Sequence, residues 1–157
     1  MSPLVEAWRM SQDANLFLLK SLPAAALKDR YGPRTRDVRG QFKHMHDVRL
    51  RWMEHGAPDL AEGVEGFGRD DTPTRAKLKK ALVASGKVVE AYLEQCAKTG
   101  KVKAWNGPPE SFLCYLVAHE AHHRGLAMVA MRSANRKLPE ETVYGQWDWG
   151  KKSSQRG

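Results

Sequence analysis

Four stretches of the chain carry apolar residues three and four positions apart, the spacing of an amphipathic α-helix. Proline or glycine bounds each stretch: Ser2-Pro3 is a helix-start signal, for example, and Pro23 ends the first helix. The predicted helices cover residues 2–22, 35–56, 72–99 and about 111–136. No stretch alternates between apolar and polar residues as a half-buried strand would. The pattern therefore predicts an all-α fold, a four-helix bundle.

The connection between the second and third helices, EHGAPDLAEGVEGFGRD, is longer than a usual bundle connection. It can run the length of the bundle as a crossover and leave these two helices parallel. Its glycines resemble a phosphate-binding loop only superficially, because no strand precedes them. After the fourth helix, LPEETVYGQWDWGKK contains three aromatic residues, and we expect part of it to pack back on the bundle.

Composition indicates a globular protein, with 41% hydrophobic and 28% charged residues among 157. We expect one domain over residues 1–150 and a basic, flexible tail over 151–157. The chain shows neither a signal peptide nor about 18 uncharged apolar residues in a row, so a cytoplasmic protein without a membrane segment is expected. The net charge of +8 is spread along the chain without a helix-turn-helix pattern, which argues against nucleic-acid binding.

The sequence HEAHH, residues 119–123, places two histidines on the core side of the fourth helix. At about 100° per residue, His119 and His123 share the stripe of Phe112 and Leu116, whereas Glu120 lies well off it. Each of the two inward imidazoles needs a polar partner, because burying it without one lowers the stability of the fold by on the order of a few kcal/mol. A shared divalent cation and a hydrogen-bonded polar cluster are the two solutions for this pair.

A third histidine on the second helix favours the metal. The apolar stripe of that helix, which includes Phe42 and Trp52, turns His46 toward the core and His44 toward solvent. We therefore predict that His46, His119 and His123 bind the ion. Three neutral imidazoles leave one coordination position open, an arrangement typical of catalysis. Ligand type does not choose the metal; zinc or nickel is favoured, with iron or manganese as alternatives.

Three segments carry a resemblance to a known family: RYGPRTRDVRGQFKHMHDVRLRWME, HEAHHRG and LPEETVYGQWDWG. Their motifs, His46 followed by Arg49 and Trp52 on the second helix and H-x-x-x-H-R-G on the last, resemble those of the DinB-like metalloprotein family. The resemblance implies a four-helix bundle with a three-histidine metal site, commonly a homodimer. Some members are S-transferases or isomerases that use bacillithiol, mycothiol or glutathione. Family members often have glutamine where this chain has Leu126.

Several functions are compatible with these residues. The first is a metal-dependent thiol transferase, isomerase or hydrolase that acts on a small molecule in a pocket near Trp52 and Tyr115. In this function Arg49 and Arg124 are candidate clamps for an anionic thiol. The alternative for both arginines is a salt bridge at the surface or at an interface. The second is a non-catalytic metal-binding stress or interaction protein. A zinc peptidase built on H-E-x-x-H is disfavoured, because it needs Glu120 beside the metal and normally a sheet edge for its substrate. Glu120 would then be a surface residue or a residue behind the ligands.

Overall fold

The computed structural model describes residues 1–103 and 105–150, and this part of the chain is helical with no strand. The predicted tail, residues 151–157, lies outside the described residues. Six α-helices follow one another: α1 (Pro3–Ser21), α2 (Val38–Gly56), α3 (Pro58–Ala61), α4 (Arg75–Thr99), α5 (Pro109–Ser133) and α6 (Glu140–Tyr144). Short 3-10 turns occur at Ala24–Lys28 and Gly145–Trp147. Within these ranges no helix is both long and apolar enough to cross a bilayer.

Capping residues set the starts of three of the four long helices. The side chains of Ser2, Asp37 and Thr74 each accept a hydrogen bond from a backbone N–H in the first turn of α1, α2 and α4. Gly100 ends α4 in the left-handed conformation, with φ of 66°. Helices α2 and α4 therefore begin three residues later than the apolar pattern predicted, at Val38 and Arg75.

Contacts between helices give the direction of each one. Helix α1 is antiparallel to α4, since Ser2 N–H donates to Glu94 at one end and Arg75 donates to the Leu22 carbonyl at the other. Helix α2 runs parallel to α4, because Arg49 donates to the Leu82 carbonyl while Gly56, farther along, lies against Tyr92. The predicted crossover between these two parallel helices is confirmed.

Helix α5 packs against both α1 and α2. Its direction is opposite to that of α2, because Gln41 near the start of α2 contacts His123 in the later half of α5, and Trp52 near the end of α2 contacts Phe112. Helices α1 and α2 occupy diagonal positions, each between α4 and α5. The connection 57–74, which includes α3, covers one side of α2.

The core is divided into two apolar clusters along the bundle axis. The first cluster includes Trp8, Met53, Val89, Phe112 and Leu116. The second cluster includes Leu18, Phe42, Leu78, Ala127 and Met131. On every long helix the residues between the two clusters include buried polar side chains, so the bundle carries a polar layer across its middle, formed by Ser11, Asn15, Arg49, Ser85, Glu120 and Arg124.

The segment after α5 packs back on α1, as expected from its sequence. The contact is made by polar and small residues: Thr142 and Gln146 are buried, and Gly145 lies against the Phe17 ring. Tyr144 and Trp147 instead remain 65% and 74% exposed. This segment therefore closes the α1 side of the bundle while presenting two aromatic rings to solvent.

Candidate metal centre

Three histidines from two helices meet between α2 and α5. His44, His119 and His123 each place one ring nitrogen so that all three nitrogens lie within 4.8 Å of one another. His119 and His123 are one turn apart on α5, and their Nε2 atoms are 3.1 Å apart. The His44 ring, on α2, lies 4.6 Å from that of His123 and 5.3 Å from that of His119, between ring centroids.

These imidazoles are neutral near pH 7, which is the form that binds a metal ion. Burial, together with the neighbouring His119 and His44, lowers the pKa of His123 to about 3. Burial likewise lowers the pKa of His44 to about 4, with the positive charge of Arg36 adding to the effect. The pKa of His119 is also lowered, again mainly by burial.

Gln41 fixes the orientation of one of these rings. Its Oε1 lies 2.6 Å from Nδ1 of His123, and Gln41 is 1% exposed. Because an amide oxygen can only accept, Nδ1 of His123 carries the proton and donates, which leaves Nε2 with a free lone pair facing His119. A histidine that binds a metal ion through one ring nitrogen usually donates a hydrogen bond from the other nitrogen to a fixed acceptor. His123 has this acceptor in Gln41, and its Nε2 faces a second imidazole. The residues present therefore fit a divalent cation.

The structure differs from the prediction that His46 joins this group. The His46 ring is fully buried elsewhere, with Nε2 2.9 Å from the Glu65 carbonyl and the ring 5.3 Å from that of Phe67. The two histidines of α2 point about 160° apart around the helix. The prediction took the centre of the apolar stripe of α2 as the face that meets α5. The residues of this stripe instead pack against three neighbours: α4, the connection 57–74 and α5. His44, at the edge of the stripe, is the histidine that faces α5.

Glu120 lies in the polar layer rather than beside the histidine nitrogens. Its carboxylate accepts from Arg49 at 2.6 and 3.0 Å and from Asn15 Nδ2 at 2.6 Å, and the residue is 1% exposed. A carboxylate engaged by a buried guanidinium is not available as a general base. The match of residues 119–123 to the zinc-peptidase pattern is therefore a coincidence of spacing.

Arg49 and Arg124 are buried structural residues, which corrects both expectations for them. In addition to Glu120, Arg49 donates to the Leu82 carbonyl at 2.9 Å and to Gln12 at 2.7 Å, and it lies 4.8 Å from the Trp8 ring. Arg124 donates to Asn15 Oδ1 at 2.6 Å. Neither guanidinium is at the surface, so neither clamps a cofactor.

Gln41, which sequence reasoning missed, had a visible signal. It precedes His44 by three positions and so shares its face of the helix. Leu126, at the position where the family resemblance led us to expect glutamine, is half-buried. The partner of His123 Nδ1 is instead supplied by Gln41 from the facing helix.

Aromatic rings continue from the histidines toward the start of α5. The Tyr115 ring stacks on that of His119 at 5.9 Å and 22°. Trp52 and Trp105 contact Tyr115 and each other at centroid distances of 5.3–5.6 Å. This group holds His119 from the side away from His123.

A cleft of about 580 Å³ opens beside His44. Its walls come from the start and middle of α2 and from the connection 57–74, not from Trp52 and Tyr115 as the sequence suggested. The lining residues are Arg36, Gly40, Lys43, His44, Asp47, Arg51, Phe67, Gly68 and Arg69. Four of the side chains are basic and one is acidic, so an anionic small molecule is favoured next to the histidines.

Comparison with known proteins agrees with this fold. A crystal structure of a DinB-like protein from Bacillus cereus ATCC 10987 superposes with a TM-score of 0.66, at 17% sequence identity, over 87% of this chain and 93% of that one. No curated protein sequence matches the chain significantly. The model of the DinB family matches residues 1–151. The chain therefore belongs to the DinB family.

Proposed function

We propose that the protein is a divalent-metal-dependent enzyme that acts on a small molecule, and that His44, His119 and His123 hold the ion. The observation that carries the proposal is the meeting of three neutral imidazoles within 4.8 Å, with no carboxylate among them. Three nitrogen ligands suit zinc or nickel, with iron and manganese as further candidates. His44 replaces His46 in the ligand set because it is the histidine of α2 that reaches α5.

The proposed reaction is a thiol-dependent transfer or isomerisation, with hydrolysis as the variant in which water takes the place of the thiol. A bound cation supplies a lowered pKa for a thiol or water at its open position. The protein's own residues do the remaining work. Gln41 holds the proton on Nδ1 of His123, Tyr115 orients His119, and the basic cleft beside His44 attracts a carboxylate-bearing low-molecular-weight thiol such as bacillithiol, mycothiol or glutathione.

Metal analysis tests the ligand set. The protein is prepared without a histidine tag or nickel column, reconstituted with zinc, nickel, iron or manganese, dialysed and analysed for metal. We expect about one ion per chain, lost in His44→Ala and His119→Ala and retained in His122→Ala, whose parent side chain is exposed beside the site. Loss in His46→Ala with retention in His44→Ala would restore the original ligand set.

A thiol assay tests the reaction. Metal-loaded protein is incubated with bacillithiol, mycothiol, glutathione or coenzyme A and monochlorobimane, in parallel with an unstructured peptide. We expect bimane conjugation that requires the metal and disappears in His119→Ala. Stoichiometric metal together with no turnover of any thiol would favour the non-catalytic metal-binding function. Metal-dependent peptide cleavage by the native chain would favour a peptidase.

We also propose that two chains form a homodimer in the cytoplasm, where low-molecular-weight thiols are reduced. Exposed Tyr144 and Trp147 support a partner surface on the segment after α5. Mass from light scattering, for the native chain and for the double variant Tyr144→Ser/Trp147→Ser, tests the dimer. A native monomer would contradict it.

A further inference from the structure

Three arginines face the cleft beside His44 without a protein counterion. Arg36, Arg51 and Arg69 all line the cleft and are exposed. Within residues 1–103 and 105–150, the ion pairs are made by other basic residues, namely Arg9, Arg30, Arg49 and Arg136. The three guanidiniums therefore line one cleft without a contact ion pair in the described part of the chain.

The other two charged side chains that line the cleft, those of Lys43 and Asp47, form hydrogen bonds to the connection 57–74. Lys43 Nζ donates to the carbonyls of Gly68, Arg69 and Asp71, at 2.9, 3.3 and 2.8 Å. Asp47 Oδ1 accepts from the backbone N–H of Phe67 at 3.0 Å. These bonds fasten the connection 57–74 to α2 and so fix the wall that carries Arg69. Among the described residues that line the cleft, Asp47 provides the carboxylate, and its Oδ1 accepts from the backbone rather than from an arginine.

Three like charges around one cleft repel one another, and a bound anion removes that cost. Guanidinium groups present planar pairs of donors that match the oxygens of a carboxylate or a phosphate. A cleft of about 580 Å³ accommodates a small molecule. His44 belongs to the same wall, so an anionic group held by the arginines places the rest of its molecule toward the three histidines.

We propose that Arg36, Arg51 and Arg69 make this cleft a binding site for an anionic small molecule, one that carries carboxylate or phosphate groups. This inference deepens the proposed function and rests on it, since an anionic thiol is proposed for the same cleft. The site is built from side chains other than the proposed metal ligands, so anion binding does not require the metal. Lys43 and Asp47 act as positioning residues that hold the cleft wall in place.

Isothermal titration at low ionic strength tests the site, with inorganic phosphate and succinate as separate probes. The full chain is titrated as purified and again after dialysis against EDTA, which separates an anion on the metal from an anion on the arginines. We expect saturable binding of at least one probe in both preparations, and the tighter probe identifies the group that the site prefers. Failure of both probes to saturate would overturn the proposal.

A matched pair of variants tests the residues. Arg36→Ser/Arg51→Ser/Arg69→Ser removes three charges from the cleft, and Lys77→Ser/Lys79→Ser/Lys80→Ser removes three from the exposed face of α4. We expect at least a tenfold weaker affinity in the first and less than a twofold change in the second, with circular dichroism confirming that both fold. Equal losses would show attraction to net charge alone. His119→Ala should lose metal yet keep anion affinity, so the two proposals fail separately.

Discussion

At the residue scale, the hydrogen bond from His123 to Gln41 decides which nitrogen of the ring faces the site. Gln41 is buried on α2 and accepts the Nδ1 proton at 2.6 Å. Without this acceptor the imidazole is free to carry its proton on Nε2, which removes the lone pair that faces His119. Partners behind histidine ligands therefore contribute to metal affinity although they do not touch the metal.

Replacing Gln41 tests this contribution. We expect Gln41→Ala to weaken metal affinity about 10–100-fold, the range for loss of such partners. Competition with a metal-binding dye measures the affinity. Gln146→Ala is the control, because it removes a buried glutamine that contacts Met128 and the Thr142 carbonyl instead of a histidine. Unchanged affinity in Gln41→Ala, or an equal loss in the control, would contradict the role given to Gln41.

The buried ion pair between Arg49 and Glu120 gives a second prediction. Glu120→Gln leaves the guanidinium charge buried and uncompensated, and we expect it to lower the free energy of unfolding by about 3–5 kcal/mol. Arg9→Ala, which breaks the half-exposed pair with Glu90, should cost about 1 kcal/mol or less. Urea denaturation measures both. A smaller loss in Glu120→Gln than in Arg9→Ala would show that the polar layer is not a major determinant of stability.

At the element scale, two glycines of the long helices have opposite environments. Gly100 ends α4 with φ of 66°, a conformation that an L side chain rarely adopts, although space for a Cβ is present. Gly125 lies inside α5 with nothing within 4 Å of a Cβ position. At Gly100, therefore, only the backbone conformation opposes a larger side chain. At Gly125 neither conformation nor space opposes one.

Alanine substitutions at these positions should change stability in opposite directions. We expect Gly100→Ala to lower the free energy of unfolding by about 1 kcal/mol, because alanine is strained in the left-handed region. Gly125→Ala should raise it by about 0.5–1 kcal/mol through better helix propensity. Chemical denaturation of both variants checks the signs. Destabilisation by Gly125→Ala would indicate a contact at that face that the single chain does not contain.

The helices themselves were predictable from sequence, and their rotation was not. Proline, glycine and capping residues mark the helix ends, and the length of the connection 57–74 predicted that α2 and α4 are parallel. Which face of α2 meets α5 depends on how three neighbours share its apolar stripe, information that no single helix contains. That is why His46 was chosen over His44, and why Glu120, adjacent to His119 in sequence, was not placed in the polar layer.

At the scale of the whole molecule, the histidines join two helices that no short loop connects. Helices α2 and α5 are held together by the apolar clusters, by the polar layer and by the group of His44, His119 and His123. A cation shared by both helices would bind the folded bundle more tightly than the unfolded chain, in which the ligands are dispersed. Metal binding at this site would therefore be coupled to folding.

This coupling predicts that metal raises the melting temperature of the protein. At a free metal concentration of about 100 times Kd, one site adds about 2.7 kcal/mol to the free energy of unfolding, less any affinity of the unfolded chain. Calorimetry with and without EDTA should show a shift of several degrees in the native chain and in His122→Ala, and none in His44→Ala, which removes the proposed histidine ligand on α2. Because a loosely attached surface ion would stabilise all three chains alike or none, equal shifts would place the metal elsewhere. A shift confined to chains with all three histidines would show that the ion links α2 to α5.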